Sequence, residues 1–475
     1  MANKKDLVEA YSFSRRRLVT AFVSGAPGGR EVEPTKPGRT IIGGVALAIL
    51  LVAGAAVTGV FKPRVDEDWT SPGLVSSKER ASDYLIFEPP PGEEPVLRPL
   101  INITSAMLLF GADVTSTSVP EVELKTLDEG PAIGILDAPQ TPPDPEDLVN
   151  DGWTACTVDG QGIKVTVSSE PQVQVQPGAG LLVRSERRLY LVGEGEGERG
   201  EVSRPRAYSY LIDDRGRDAL RDVTLQGLSG YLLEDAVEVP PDWLTLFPSG
   251  GSLEVDTLGL GRLGDRVDYA GQGGVPANAR VGDRFENNGL SYAIAEDSPV
   301  ELTTFAERLL TSQRDEEIEL DGPLDLDIAP QPYAEAHFPA EPLTNVQGEQ
   351  CAVLATDPLS PGVQVGVLPG EQASAADVEA GIEYDVDSGT GAMVRSGQWD
   401  NLPGDGEVFL VDNRGERYLL QGGEVPESLG LASVEQVFAP AEWMDLFRTG
   451  VTLSRDAARC PPDQDDGESC VAISS

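Results

Sequence analysis

The chain has 475 residues, with 36 lysines and arginines against 79 aspartates and glutamates, one histidine and four cysteines, for a net charge of −43. That length accommodates two or three domains, and 40% hydrophobic residues with 6% aromatics is the composition of a folded protein. The acidic excess excludes a nucleic-acid binder, whose phosphate contacts need stripes of lysine and arginine, and fits a soluble acidic surface instead.

At the N-terminus, Leu7, Val8, Tyr11, Leu18, Val19 and Phe22 recur at roughly helical spacing, with Lys4, Lys5 and the run Arg15-Arg16-Arg17 on other faces. The spacing predicts a short amphipathic helix. It either lies on the inner leaflet or docks on a cytoplasmic partner through Tyr11, Phe13, Arg15, Arg16 and Arg17. A Gly- and Pro-rich linker, Gly25 to Gly38, follows.

Ile41 to Phe61 is one uncharged apolar run between Arg39 and Lys62. At about 1.5 Å per residue it reaches roughly 31 Å, the thickness of a bilayer core, and it is expected to be a transmembrane helix. Residues 1–40 carry eight basic and four acidic residues, net +4, which leaves −47 beyond them. The positive-inside rule therefore places 1–40 in the cytoplasm and the remainder outside the cell membrane, as a single-pass protein with a large ectodomain. A cleaved leader ending at Ala53-Gly54-Ala55 would be far longer than a signal peptide. A twin-arginine signal at Ser14 to Val19 is interrupted at Gly25-Ala26-Pro27.

After a connector at 62–80, short β-like runs begin, Asp83 to Phe87, Gly180 to Val183 and Leu189 to Val192, and continue through 81–475. Asn288-Gly289 between Arg284-Phe285 and Leu290 to Ile294 is the strongest hairpin signal, because both turn positions favour positive φ. An internal repeat is visible. Tyr210-Leu211-Ile212-Asp213-Asp214-Arg215-Gly216 matches Phe409-Leu410-Val411-Asp412-Asn413-Arg414-Gly415, and Pro240 to Gly250 matches Pro440 to Gly450, with Trp243 answering Trp443. The units, about 207–253 and 406–453, read as a hairpin with a D-x-x-G turn and then a short helix, with a central region between them. A looser echo is Leu290 to Ile294 followed by a helix-like Leu302 to Leu310. The expected class is α+β and β-rich: one N-terminal transmembrane helix, then a repeat-built ectodomain around a central β domain. Trp243 and Trp443 read as core anchors rather than ligand-stacking platforms.

All four cysteines lie beyond the apolar run, in an oxidising space. Cys460 and Cys470 flank a polar turn and pair locally, which leaves Cys156 with Cys351. Closing so long a loop is worth roughly 4 to 5 kcal/mol in the chain-entropy model.

Signs of chemistry are few. G-x-x-x-x-G-K-[ST], H-E-x-x-H and G-x-S-x-G do not occur, and C-x-x-C is absent. The one histidine, His337, has no nucleophile near it in sequence and reads as a surface or packed residue. The acidic cluster Asp315 to Asp327 fits no EF-hand spacing, and Gly195 to Gly200 carries carboxylates where a phosphate cradle needs bare amides. No catalytic, metal or cofactor residue is assigned.

Several segments in order resemble the EccB family, the membrane-core component of bacterial type VII (ESX) secretion systems. Tyr11 to Leu18 is similar to the family's G-Y-x-F-x-x-R-R-L, and Lys62-Pro63 follows the membrane segment as in the family. Leu97 to Leu108 is similar to L-x-P-V-x-N-L-x-S-A-x-L, Gly130 to Pro139 to G-P-x-x-G-I-x-G-A-P, and Trp153 to Cys156 to W-x-x-C. Leu136-Asp137 stands where the family has P-G. The resemblance implies a repeat-built ectodomain held by a long-range disulfide and a structural role in protein export. Its implied partners are an FtsK/SpoIIIE-type secretion ATPase, a multi-spanning channel subunit, a further membrane-core subunit, a subtilisin-like protease and further copies of itself. Family members are also described as ATPases, which leaves ATP hydrolysis as an alternative. From the residues alone the competing classes are a membrane-anchored module binding cell-wall polymer and an exported hydrolase.

Overall fold

A computed structural model describes residues 4–24, 37–60, 68–157, 162–196, 206–213, 221–357, 362–368, 378, 381–387, 390–399, 406–462 and 470. Residues 25–36 of the linker, Phe61 of the apolar run, residues 62–67 of the connector, residues 197–200 of the glycine-rich loop and residues 214–220 of the first repeat unit lie outside them. The chain divides into two compact units, 1–67 and 68–475. The first holds helices α1 (Lys4–Ser24) and α2 (Pro37–Val60). Side chains of α2 are described over 41–53, and among the residues described in full no helix is long and apolar enough to cross a membrane.

The second unit is α+β and β-rich. Its chain order begins β1 (Gly73–Ser77), β2 (Asp83–Ile86), β3 (Leu97–Pro99), α3 (Ile103–Phe110), β4 (Ser116–Val119) and α4 (Glu121–Leu124). Strands β5 (Trp153–Thr157), β6 (Ile163–Val167) and β7 (Gln174–Val175) come next, and then β8 (Ala179–Ser185), β9 (Arg188–Gly195), β10 (Arg206–Ile212), α5 (Asp222–Ser229), β11 (Val237–Glu238), α6 (Pro241–Leu244) and β12 (Ser249–Ser252). A third group is β13 (Arg284–Asn287), β14 (Leu290–Ala293), β15 (Val300–Leu302) and α7 (Thr304–Thr311). The chain continues with β16 (Thr344–Asn345), β17 (Glu349–Ala355), β18 (Gly362–Leu368) and β19 (Ile382–Val386). It closes with β20 (Gly391–Gly397), β21 (Glu407–Asp412), β22 (Glu416–Leu419), α8 (Val425–Ser428), β23 (Val437–Pro440), α9 (Ala441–Met444), β24 (Arg448–Thr449) and α10 (Arg455–Ala458).

Pairing registers show that one module occurs four times. In each, a hairpin is extended by a third antiparallel strand, a helix follows, and the chain returns alongside the first strand and then alongside the third, both in parallel. The orders β4-β1-β2-β3, β11-β8-β9-β10-β12 and β23-β20-β21-β22-β24 are the same path, and β13-β14-β15 repeats its middle. The missing returns are single bridges, Leu97 with Glu129 in the first module, Arg284 with Glu317 and Val300 with Ala329 in the third. On the second strand Tyr84, Tyr190, Tyr292 and Phe409 are equivalent. They face Val75, Val183, Phe285 and Val394 on one side and Pro99, Leu211, Glu301 and Leu419 on the other.

The two segments that match in sequence sit on different strands of their modules. Tyr210-Leu211-Ile212 lies on a third strand, whereas Phe409-Leu410-Val411 lies on a second strand, whose equivalent is Tyr190-Leu191-Val192. The second module thus begins at β8, and Gly180-Leu181-Leu182-Val183-Arg184-Ser185 of β8 answers Gly391-Ala392-Met393-Val394-Arg395-Ser396 of β20. The expected D-x-x-G hairpin is present in the fourth module, where Gly415, at φ 74°, donates its N–H to the Asp412 carbonyl at 3.1 Å. In the second module residues 214–216 of the D-x-x-G lie outside the described residues. The Pro240 and Pro440 blocks do match, as α6 and α9. The region between the sequence repeats contains a whole module, and the central sheet is split around it, with order β19-β6-β5-β17-β18-β7.

Packing follows the modules. The first and fourth share a core containing Leu85, Leu108 and Ile133 with Leu410, Tyr418 and Leu431. The second and third share another, with Leu191, Tyr210 and Leu225 against Phe285, Phe305 and Leu309. The central sheet joins both pairs: Trp153, Trp243 and Trp443 occupy one cluster and none has measurable exposure. Burying three indoles in one place is a large hydrophobic contribution, and Trp243 Nε1 also donates to the Ala155 carbonyl at 2.8 Å. The tryptophans are core anchors.

Candidate functional site

The two disulfides join the expected partners. Cys156 on β5 lies directly opposite Cys351 on β17, Cα to Cα 4.0 Å, with Cys351 fully buried. Cys460 pairs with Cys470 just beyond α10, and the Gly134 N–H donates to the Cys460 carbonyl at 3.2 Å, which ties the C-terminal segment to the first module.

On α1 the five candidate docking residues do not share a face. Tyr11 and Arg15 are four residues apart, as are Phe13 and Arg17, so each pair is aligned along the helix, while Tyr11 and Phe13 point roughly 160° apart. Tyr11 is 74% and Phe13 55% exposed. Leu7, Tyr11, Leu18 and Phe22 fall within about 60° of one another and make the apolar stripe that the spacing predicts.

His337 is packed. Its ring stacks on Tyr208 at 4.5 Å between centroids, Nδ1 is 3.0 Å from the Glu196 carbonyl, and its own carbonyl accepts from the Tyr210 hydroxyl at 2.6 Å. Asp315 of the acidic cluster pairs with Arg284 at 2.8 Å. Among the described residues no group of three or more His, Cys, Asp or Glu is placed to hold a metal ion.

Sequence reading missed one position that recurs through the modules. On the third strand, Arg98, Tyr210, Val300 and Tyr418 are equivalent, lying across from Leu85, Leu191, Ala293 and Leu410. In three modules this side chain rests on a glycine ten residues after a proline: Gly130, Gly250 and Gly450 after Pro120, Pro240 and Pro440. In the third module the pair is Val300 and Ala329, apolar throughout. The two tyrosines are buried and their hydroxyls are engaged. Tyr210 donates to His337, while Tyr418 O–H lies 2.6 Å from Glu416 Oε2 and 3.1 Å from Asp412 Oδ2 and accepts from Arg414 Nη2 at 2.6 Å. Burial, ahead of any charge, pushes both phenols well above their usual ionisation range. Arg98 differs. Its guanidinium carbon lies over Gly130, its Nη1 is buried, and it forms no hydrogen bond or ion pair among the described residues. Burial lowers its affinity for its proton. The signal in the sequence was the recurrent Tyr-Leu-Ile, Tyr-Leu-Val, Tyr-Ala-Ile and Phe-Leu-Val on the second strands, which sets the register.

A family model described as type VII secretion system ESX-1, transport TM domain B, matches residues 2–464. The chain is 23% identical over 447 residues to the ESX-1 secretion system ATPase EccB1 of Mycolicibacterium smegmatis (strain MKD8), covering 88% of this chain and 87% of that protein. It is 24% identical over 469 residues to the ESX-3 secretion system ATPase EccB3 of Mycobacterium tuberculosis (strain ATCC 25618 / H37Rv), covering 89% and 83%. Among solved structures, a chain of the intact ESX-5 inner membrane complex superposes with a TM-score of 0.58 at 18% identity, covering 100% of this chain and 98% of that one. A chain of the EccB3 dimer from the ESX-3 core complex gives 0.55 at 18%, covering 81% and 99%. Matched by the family model over residues 2–464, the protein belongs to the EccB family of type VII secretion systems.

Proposed function

We propose that the protein is a structural subunit of a type VII secretion complex in the cell membrane, taking part in protein export. The observation that carries this is the family match over 2–464, which takes in the basic helix, the apolar run and all four modules. In this reading Ile41 to Phe61 spans the membrane once, residues 1–40 face the cytoplasm and the modules face outward, as the eight lysines and arginines ahead of the apolar run favour. Tyr11, Phe13 and Arg15 to Arg17 dock on cytoplasmic machinery: an FtsK/SpoIIIE-type ATPase, a channel subunit and a further core subunit are the partners, with a subtilisin-like protease on the outer side. The modules meet those of further copies.

A mild-detergent pull-down of the tagged full-length chain tests the reading. Recovery of a secretion ATPase together with a multi-spanning membrane protein in a large particle supports it. Recovery of this chain alone turns the assignment to an anchored module binding cell-wall polymer, which would then sediment with isolated wall.

The relatives' names supply a second reading, ATP hydrolysis. The sequence lacks the phosphate loop that such chemistry commonly uses. Turnover by the purified protein above that of a heat-inactivated control would favour it.

A further inference from the structure

The four modules provide an internal control for one another. At the equivalent third-strand position, Tyr210 and Tyr418 each present a polar end that another part of the chain satisfies: the His337 carbonyl in one case, Asp412, Arg414 and Glu416 in the other. Val300 has no polar end to satisfy. Arg98 has one, and nothing in the described chain meets it. Among the described residues, four arginines have a buried nitrogen without a partner, and three of them, Arg284, Arg417 and Arg459, are held by a carboxylate through another nitrogen. Arg98 alone among these has no carboxylate, in a chain where acidic residues outnumber basic ones 79 to 36. A buried guanidinium nitrogen left unpaired is unfavourable, and a carboxylate matched to its fork relieves that.

We propose that Arg98 is a docking residue that receives a carboxylate side chain from a second copy of this chain. The segment that covers the equivalent tyrosine in the second module, around Ala336 and His337, comes from within the chain; in the first module the covering group comes from another molecule. Arg98 is half-buried, with its Nη1 enclosed and its guanidinium carbon over Gly130. A second copy can supply the carboxylate, because the sequence carries more than two acidic residues for each basic one. The inference rests on the self-association in the reading above.

Sedimentation velocity of the full-length protein in mild detergent, over a concentration series, tests it with Arg98→Gln and Arg98→Tyr. The tyrosine variant is included because Tyr210 and Tyr418 show that this side chain fits over the glycine. Expected is a roughly tenfold rise in the dissociation constant of the dimer for both variants, with a Tm, read at a concentration where the wild type is monomeric, equal to or above that of the wild type. A dissociation constant unchanged in both variants overturns the proposal. So does a fall in the Tm of the monomer, since Arg98 would then be a pillar of the module. If the wild type is monomeric at every concentration, the self-association reading fails with it.

Discussion

Gly250 lies directly beneath the ring of Tyr210, so close that a Cβ on the glycine would collide with the ring's Cε1. The same holds for Gly450, where a Cβ would stand 2.7 Å from Tyr418 Cε1, and both rings are fully buried and cannot swing away. Gly250→Ala and Gly450→Ala should each lower stability by about 1–3 kcal/mol, the usual cost of overpacking. At Gly130 the Cβ would meet Val96 Cγ1 at 3.1 Å and Arg98 Cζ at 3.5 Å, so Gly130→Ala should cost much less. Urea titration of the three variants checks the order, and equal losses would mean that the glycines serve backbone conformation alone.

Cys156 and Cys351 are 195 residues apart in sequence and enclose the second and third modules in a loop closed on the central sheet. Removing the bridge by Cys156→Ala with Cys351→Ala should destabilise the protein by about 5 kcal/mol in the chain-entropy model. Because Cys351 is fully buried, a mild reductant should open the bridge only through unfolding. Titration of thiols against urea concentration checks this, and rapid reduction of the native protein in buffer would contradict it.

The β8–β9 hairpin turns at Glu186 and Arg187, at φ 48° and 68°, and the β13–β14 hairpin turns at Asn288 and Gly289, at φ 53° and 79°. Both have the two successive positive φ values of a type I′ turn, but only the second has residues suited to it. Glu186→Asn with Arg187→Gly should therefore raise stability by about 1 kcal/mol, read as an increase in Tm. An unchanged or lower Tm would show that contacts of these side chains outweigh the conformational gain.

Local chemistry made part of this fold legible. Asn288-Gly289 announced its hairpin because positive φ is a property of single residues, and cysteine pairing followed from chain separation. Module boundaries did not, because Tyr210-Leu211-Ile212 resembles Phe409-Leu410-Val411 as well as Tyr190-Leu191-Val192 does. Each is a buried strand with the same demand for an aromatic and two aliphatic residues, and only cross-strand partners distinguish a second strand from a third. Arg98 was hidden for the same reason: its lack of a partner is visible only beside its two tyrosine equivalents. Asp137 adopts φ 62°, a left-handed conformation that aspartate is among the few side chains to tolerate.

In the apolar run, a Cβ added at Gly43 or Gly44 would meet no atom within 4 Å, so leucine there would disturb nothing within the described chain. If partner helices pack closely on these small residues in the membrane, Gly43→Leu with Gly44→Leu should reduce recovery of the assembled complex while leaving the amount of this chain in the membrane unchanged. Blue-native electrophoresis of membranes from cells carrying the variant reads this directly, and intact assembly would assign the close packing elsewhere.

Tyr333 gives the protein an alkaline limit. Its hydroxyl donates to the Glu301 carbonyl at 3.0 Å and accepts from the Thr303 N–H at 3.2 Å, and burial is the main force pushing its pKa up to about 12. The fold thus favours the neutral phenol, whose unfolded pKa is about 10. The resulting stability is fully present below pH 10 and is lost as pH rises from 10 through 12, by up to about 3 kcal/mol. Tyr333→Phe removes the hydroxyl and should cost about 1 kcal/mol at pH 8 through the two lost hydrogen bonds. Above pH 11 the phenylalanine variant has no phenol to ionise at this site, so its deficit against the wild type should shrink and then reverse. Urea midpoints of both proteins at pH 8, 10 and 11.5 test the crossing; parallel curves would mean that Tyr333 ionises only after the protein has unfolded at other tyrosines, of which Tyr210 and Tyr418, both raised by burial, are the first to examine.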